Sequence, residues 1–121
     1  LARSPRVHKV YVAPGNGGTQ RAEQMENIPL TNAEELADFV QREGIALTVV
    51  GPEEPLVRGI VDAFHKEGLR IFGPSKAAAQ LEGSKAFTKE LCARHNIPTA
   101  GFERVASEAA GLAALDKFGI R

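Results

Sequence analysis

Glu53 and Glu54 follow the apolar stretch Leu47-Thr48-Val49-Val50 through a Gly51-Pro52 turn, and Pro55-Leu56-Val57 comes directly after them. A strand running into a rigid acidic turn that opens a helix is where α/β folds place ligands, in the crevice outside the carboxyl ends of parallel strands. A helix start attracts anions, but here two carboxylates already occupy it, so a phosphate is disfavoured at that point. The pair suits an amine, sugar hydroxyls or a metal-bearing ligand; the alternative is that Glu53 or Glu54 only offsets the helix dipole. A second strand end, Pro14-Gly15-Asn16-Gly17-Gly18-Thr19, offers backbone amides that a ligand can approach closely, and Asn16 adds a side chain that both donates and accepts. The same residues also suit a plain tight turn. Neither G-x-G-x-x-G nor a Walker loop occurs in the chain.

Lys85 and Lys89 stand four apart in Gly83-Ser84-Lys85-Ala86-Phe87-Thr88-Lys89, on one face near a helix start. Two ammonium groups there repel unless a negative group such as a nucleotide phosphate lies opposite; solvated surface lysines are the alternative. His8, His65 and His95 are isolated, and no Ser-His-Asp or H-E-x-x-H arrangement can be assembled locally. Cys92 is the single cysteine, so an internal disulfide and a Cys-based structural metal are both excluded. It reads as a small apolar residue on a helix.

The positioning elements alternate. Val7 to Val12 reads as a strand that delivers the glycine-rich loop, whereas Gln20 to Asn27 is polar with little periodic signal. Ile28-Pro29-Leu30 suits a short edge strand, because proline cannot sit in a sheet centre. Thr31-Asn32-Ala33-Glu34 has capping-box spacing, and Leu36, Phe39 and Val40 form the buried stripe of the helix it starts, which Gly44 ends. Ile45 to Val50 is the near-continuous apolar run of a strand covered on both faces. Pro55 suits a first helical position, and Val57, Ile60, Val61 and Phe64 predict one helix closed by Gly68. Leu69 to Phe72 is a further strand, and Gly73-Pro74-Ser75 turns into the helical segment Lys76 to Glu82.

This order predicts parallel strands joined by right-handed crossovers in a doubly wound α/β layer fold. From Gly83 the texture changes. Ser84 can cap a helix that stops near Asn96, and Ser107 another with Ala109, Leu112 and Leu115 inward and Gly119 at its end. A strand is expected to begin at Ile120-Arg121. The boundary near Gly83 divides a domain of residues 1–82 from residues 83–121, a linker and the start of a second domain.

At 121 residues the chain is long enough for one domain with a proper core. Fifteen basic and fifteen acidic side chains cancel, so no overall field draws it to nucleic acid or an anionic membrane. No apolar run approaches the ~20 residues that cross a bilayer, and no signal-peptide pattern opens the chain. A reducing, cytoplasmic setting fits the lone cysteine. The start at Leu1-Ala2-Arg3-Ser4-Pro5, without Met, reads like the tail of a helix entering a strand and suggests a fragment whose first element is missing.

Taken in order, Val12-Ala13-Pro14-Gly15-Asn16-Gly17-Gly18-Thr19, Val49-Val50-Gly51-Pro52-Glu53-Glu54-Pro55-Leu56, Ile71-Phe72-Gly73-Pro74 and Ala79-Gln80-Leu81-Glu82-Gly83-Ser84-Lys85-Ala86-Phe87-Thr88-Lys89 resemble the phosphoribosylamine–glycine ligases, or glycinamide ribonucleotide synthetases, of the ATP-grasp superfamily. Arg94-His95-Asn96-Ile97-Pro98-Thr99-Ala100 extends the resemblance, and beyond it only helical texture is shared. The resemblance implies a Rossmann-like pre-ATP-grasp domain with helices on both faces of a parallel sheet, lacking its first strand, followed by the first helices of an ATP-grasp domain. It implies a fragment of an ATP-dependent C–N ligase that joins glycine to 5-phosphoribosylamine in purine synthesis, through an acyl phosphate, with Mg²⁺ or Mn²⁺. By the same resemblance Gly15, Asn16, Gly17 and Thr19, with Gly51, Pro52 and Glu53, line the sugar-phosphate side, and Lys85 approaches the ATP phosphates.

The chain departs from the family pattern at both ends. The first strand with its Gly-Gly-Arg-Glu-His type loop is missing, as are the ATP flap and the acidic metal ligands, so ATP and metal are expected to be held mainly by segments outside this sequence. The fragment is expected to be inactive alone and to carry no catalytic or metal-ligating residue, and loss of an inner strand should leave an aggregation-prone sheet edge. Its partners are the small molecules phosphoribosylamine, glycine and ATP, with no nucleic acid and no membrane; oligomeric state stays open. Two alternatives remain: a non-catalytic nucleotide- or sugar-phosphate-binding module, and the equivalent domain of another ATP-grasp enzyme.

Overall fold

A computed structural model describes residues 1–119, and the strand expected at Ile120-Arg121 lies outside the described residues. The chain is mixed α/β and divides into two compact units, Leu1–Lys76 and a second that begins at Ala77. In the first unit β1 (Val10–Val12) leads through α1 (Gly17–Gln20) to β2 (Met25–Asn27), and α2 (Ala33–Arg42) follows. Next come β3 (Thr48–Val49), α3 (Glu53–Arg58), α4 (Ile60–Lys66) and β4 (Ile71–Phe72). Both strand pairs are parallel: Val10 lies opposite Met25 and Val12 opposite Asn27, while Thr48 lies opposite Ile71 and Val49 opposite Phe72. They form two two-stranded sheets, β1-β2 and β3-β4.

Several local expectations are met for the reasons that suggested them. Gly44 and Gly68 adopt φ of 59° and 69° and end α2 and α4. In each case the following amide reaches back to a carbonyl of the last turn, Ile45 to Val40 and Leu69 to Phe64, both at 2.9 Å. That geometry needs a residue that tolerates left-handed backbone. Phe39 and Val40 are buried on α2, Leu36 is half-buried, and the Phe39 ring meets Tyr11 of β1 edge-on at 5.0 Å. Ile60, Val61 and Phe64 on α4 are buried with Leu56 on α3, and Phe64 is wholly inaccessible.

Other expectations are corrected. The cap of α2 is Asn32, whose side chain accepts from the amides of Glu34 (2.8 Å) and Glu35 (3.4 Å), so Thr31 and Glu34 form no capping box. The edge strand falls at Met25–Asn27, inside the stretch that lacked periodicity, rather than at Ile28-Pro29-Leu30. The strand within Ile45–Val50 shrinks to Thr48–Val49, with Leu47 49% and Val49 44% exposed, because its one neighbour is β4. Pro52 rather than Pro55 marks the start of α3, and Pro55 takes the third helical position, where its missing amide hydrogen costs nothing.

The helix expected from Val57 to Phe64 is two helices, broken at Gly59 with φ 94°. A Cβ there would lie 3.1 Å from the Lys76 side chain. The Asp62 carboxylate on α4 accepts the Lys76 amide at 2.7 Å, which fixes the start of α5 (Lys76–Gly83). Gly73 is tight in the same region: an added Cβ would sit 2.8 Å from Leu56 Cδ2 and 3.1 Å from Val61 Cγ2. The turn after β4 therefore rests directly on the α3–α4 core.

The second unit holds most of α5, then α6 (Lys85–Arg94) and α7 (Glu108–Lys117). Ser84 and Ser107 cap α6 and α7 as their spacing indicates, each accepting an amide three residues on at 3.3 Å. Asn96 ends the α6 segment at φ 54°, and Gly119 takes φ 66° after α7. The inward face expected for α7 is not found: Ala109 is exposed, Leu112 and Leu115 are 59% and 44% exposed, and Gly111 and Ala114 are the half-buried positions. Ion pairs Arg104–Glu90 (3.2 Å) and Lys117–Glu103 (2.5 Å) tie the connecting segment to its flanking helices. No helix of the described residues is long and apolar enough to cross a membrane.

Candidate functional site

The two loops that the sequence singles out both leave the carboxyl ends of parallel strands. Residues 13–16 follow β1, and residues 50–52 follow β3. In the first loop the Ala13–Pro14 peptide is cis and Gly15 has φ 80°. Asn16 is the cap of α1, and its Oδ1 accepts from the amides of Gly18 (2.8 Å) and Thr19 (3.1 Å). In return the Thr19 hydroxyl accepts the Asn16 amide at 2.9 Å, so a capping box exists in the chain, at Asn16 and Thr19. Asn16 thus spends its side-chain oxygen on shaping the loop. The Gly15 and Gly17 amides make no hydrogen bond among the described residues, which leaves them as the loop's uncommitted donors.

Asn27, at the end of β2, completes the arrangement. Its Oδ1 receives the Thr19 hydroxyl at 2.7 Å, and its Nδ2 donates to the Asn16 carbonyl at 2.9 Å. A Cβ on Gly15 would fall 2.2 Å from the Asn27 amide group, so Gly15 is required by contact as well as by backbone conformation. Nothing local in the sequence marks Asn27; only the pairing of β2 with β1 carries it to the loop. Further along the same ladder Lys9 pairs with Glu26 at 2.5 Å and lies 4.4 Å from the Tyr11 ring centroid. The hydrogen bond to Glu26, helped by Tyr11, holds the Lys9 ammonium above the ordinary lysine range.

In the second loop Gly51, Pro52, Glu53 and Glu54 are all exposed. Glu54 pairs with Arg58 one turn on, at 2.7 Å, and Pro52 supplies no side-chain cap. Glu53 has no ion-pair partner among the described residues, and Gly51 has nothing within 4 Å of an added Cβ, so the backbone there stands open to approach. Glu53 and Glu54 are thereby separated: one is spent on its own helix, the other is presented. No hydrogen bond or ion pair joins this loop to the Gly15–Thr19 loop among the described residues.

Lys85 lies in the second unit, exposed at the first position of α6. Lys89, four residues on, is half-buried and already has partners. Its ammonium donates to Thr99 Oγ1 (2.7 Å) and the Ala100 carbonyl (2.9 Å), which answers the repulsion expected from the spacing. Thr88 Oγ1 donates to the Leu81 carbonyl, joining α6 to α5. Among the described residues no three His, Cys, Asp or Glu side chains converge on a point where a metal ion could be held. Lys85 alone is likewise too little to hold a triphosphate.

Residues 1–82 match the family described as "Phosphoribosylglycinamide synthetase, N domain". The chain belongs to that family. Among its relatives is the phosphoribosylamine–glycine ligase of Ralstonia nicotianae, 56% identical over 119 residues that cover 98% of this chain and 28% of the relative. The enzyme of the same name from Pasteurella multocida is 54% identical over 121 residues, covering 98% and 28%. That of Haemophilus influenzae is 57% identical over 105 residues, covering 85% and 24%. The chain thus spans about 28% of the length of the first two.

Proposed function

We propose that this chain is the N-terminal part of a longer ATP-dependent ligase that joins glycine to 5-phosphoribosylamine, giving glycinamide ribonucleotide in purine synthesis. The observation that carries the reading is the match of residues 1–82 to the synthetase N domain, joined to high identity with ligases over nearly the whole chain. On this reading residues 1–82 form a Rossmann-like pre-ATP-grasp domain and residues 83–121 a linker with the first helices of the ATP-grasp domain. The parent works in the cytoplasm on small molecules. ATP and Mg²⁺ or Mn²⁺ are bound by other segments, with Lys85 near the ATP phosphates at most.

The two strand-end loops act by positioning. The Gly15 and Gly17 amides, held by the Asn16–Thr19 capping box, supply neutral donors for the sugar phosphate. Gly51 and Pro52 provide a stiff wall, and Glu53 accepts hydrogen bonds from sugar hydroxyls or the amine. An amine that attacks an activated glycine carboxylate chiefly needs orientation, so none of these side chains has to move a proton. The full-length protein should form glycinamide ribonucleotide from the three substrates. Glu53→Gln, which keeps the shape and removes the charge, should raise KM for phosphoribosylamine by roughly tenfold, the scale of one lost charge-assisted hydrogen bond, while KM for ATP stays put. Steady-state kinetics with each substrate varied decides this, and an unchanged phosphoribosylamine KM would remove Glu53 from the site.

A further inference from the structure

We infer that Asn27 is a positioning residue for phosphoribosylamine, acting through the Gly15–Thr19 loop; the inference rests on the ligase reading above. Asn27 stands at the carboxyl end of β2, directly opposite Val12, the last residue before the loop leaves β1. Its amide closes a ring of hydrogen bonds. Oδ1 takes the Thr19 hydroxyl at 2.7 Å, Nδ2 gives to the Asn16 carbonyl at 2.9 Å, and the Thr19 hydroxyl in turn receives the Asn16 amide at 2.9 Å. The Asn16 amide and carbonyl are both engaged, the carbonyl also accepting from the Gln20 amide at 3.0 Å, and the Gly17 amide, which shares a planar peptide with that carbonyl, is held with them. Only a side chain with a donor and an acceptor on one short planar group can serve both partners, and asparagine is the residue that fits. Gly15 packs against the same amide, which leaves the loop no room to shift toward β2.

The chemistry separates this role from general support of the fold. Asn27 is half-buried at a strand end and is not one of the buried core side chains, so its loss should loosen the loop before it unfolds the domain. Asn27→Asp keeps the acceptor for Thr19 but sets an oxygen against the Asn16 carbonyl. Thr19→Val removes the same ring from the other side and keeps the side-chain volume.

The test is kinetics of the full-length ligase with Asn27→Asp, Asn27→Ala and Thr19→Val, each substrate varied in turn, beside thermal unfolding of each variant. The role predicts that KM for phosphoribosylamine rises about tenfold or more in all three, through two lost hydrogen bonds in Asn27→Ala, one lost and one repulsive contact in Asn27→Asp, and the lost hydroxyl contacts in Thr19→Val, with KM for ATP within about twofold. The double variant Asn27→Ala/Thr19→Val should be little worse than either single one, because the ring is broken once. Folded variants whose phosphoribosylamine KM matches the parent, or in which every KM rises together, would overturn the positioning role alone. An unmutated full-length protein that forms no product would overturn the ligase reading, and this inference with it.

Discussion

At the scale of single residues the first loop contains two kinds of glycine. Gly15 has φ 80° and lies against the Asn27 amide, whereas Gly17 is helical and has nothing within 4 Å of an added Cβ. Alanine at 15 must adopt left-handed backbone and displace a doubly bonded amide. Gly15→Ala should therefore cost roughly 2–4 kcal/mol. Alanine at 17 meets no such obstacle, so Gly17→Ala should melt within a degree or two of the parent, on the order of 0.5 kcal/mol. Any loss of phosphoribosylamine affinity it causes in the full-length enzyme reports on ligand approach. Thermal denaturation of the pair checks the contrast, and equal melting points would contradict it. The sequence exposed both glycines as special without telling them apart, because Asn27 reaches the loop only across the β1–β2 ladder.

At the scale of elements, the signals that proved legible are those whose cause is local. Gly44 and Gly68 end helices because the last turn needs a left-handed residue there, and Ser84 and Ser107 cap helices through amides three positions away. The features that stayed hidden depend on distant partners. β2 runs Met25-Glu26-Asn27, a poor strand sequence by propensity, and exists because its backbone pairs with β1 while Glu26 meets Lys9 and Asn27 meets the loop. The break at Gly59 is hidden in an unbroken helical periodicity, since Ile60, Val61 and Phe64 remain on the buried side of α4 after the kink. Gly59→Ala would favour one continuous helix on propensity, yet it must hold φ 94° against Lys76. A net destabilisation of about 1–2 kcal/mol is expected, measurable by urea unfolding. A stabilised variant would mean that the kink is not required by the surrounding packing.

At the scale of the whole molecule, the chain is a synthetase N-domain segment that presents two strand-end loops and carries no convergent metal-ligand cluster among its described residues. The family was legible because its signature lies in contiguous loops, where glycine, proline and carboxylate have fixed backbone duties. The sheet was less so: the apolar run Ile45–Val50 predicted a strand covered on both faces, but Val49 and its partner Phe72 are exposed, and among the described residues β3 and β4 form a two-stranded sheet with one uncovered side. Under the proposed function the loops after β1 and β3 belong to an enzyme whose turnover of ATP requires both glycine and phosphoribosylamine. The most direct test of that requirement is ADP release by the full-length protein with each substrate omitted in turn. Rapid release is expected only when glycine and phosphoribosylamine are both present. Release that ignores phosphoribosylamine, or that needs neither substrate, would contradict it.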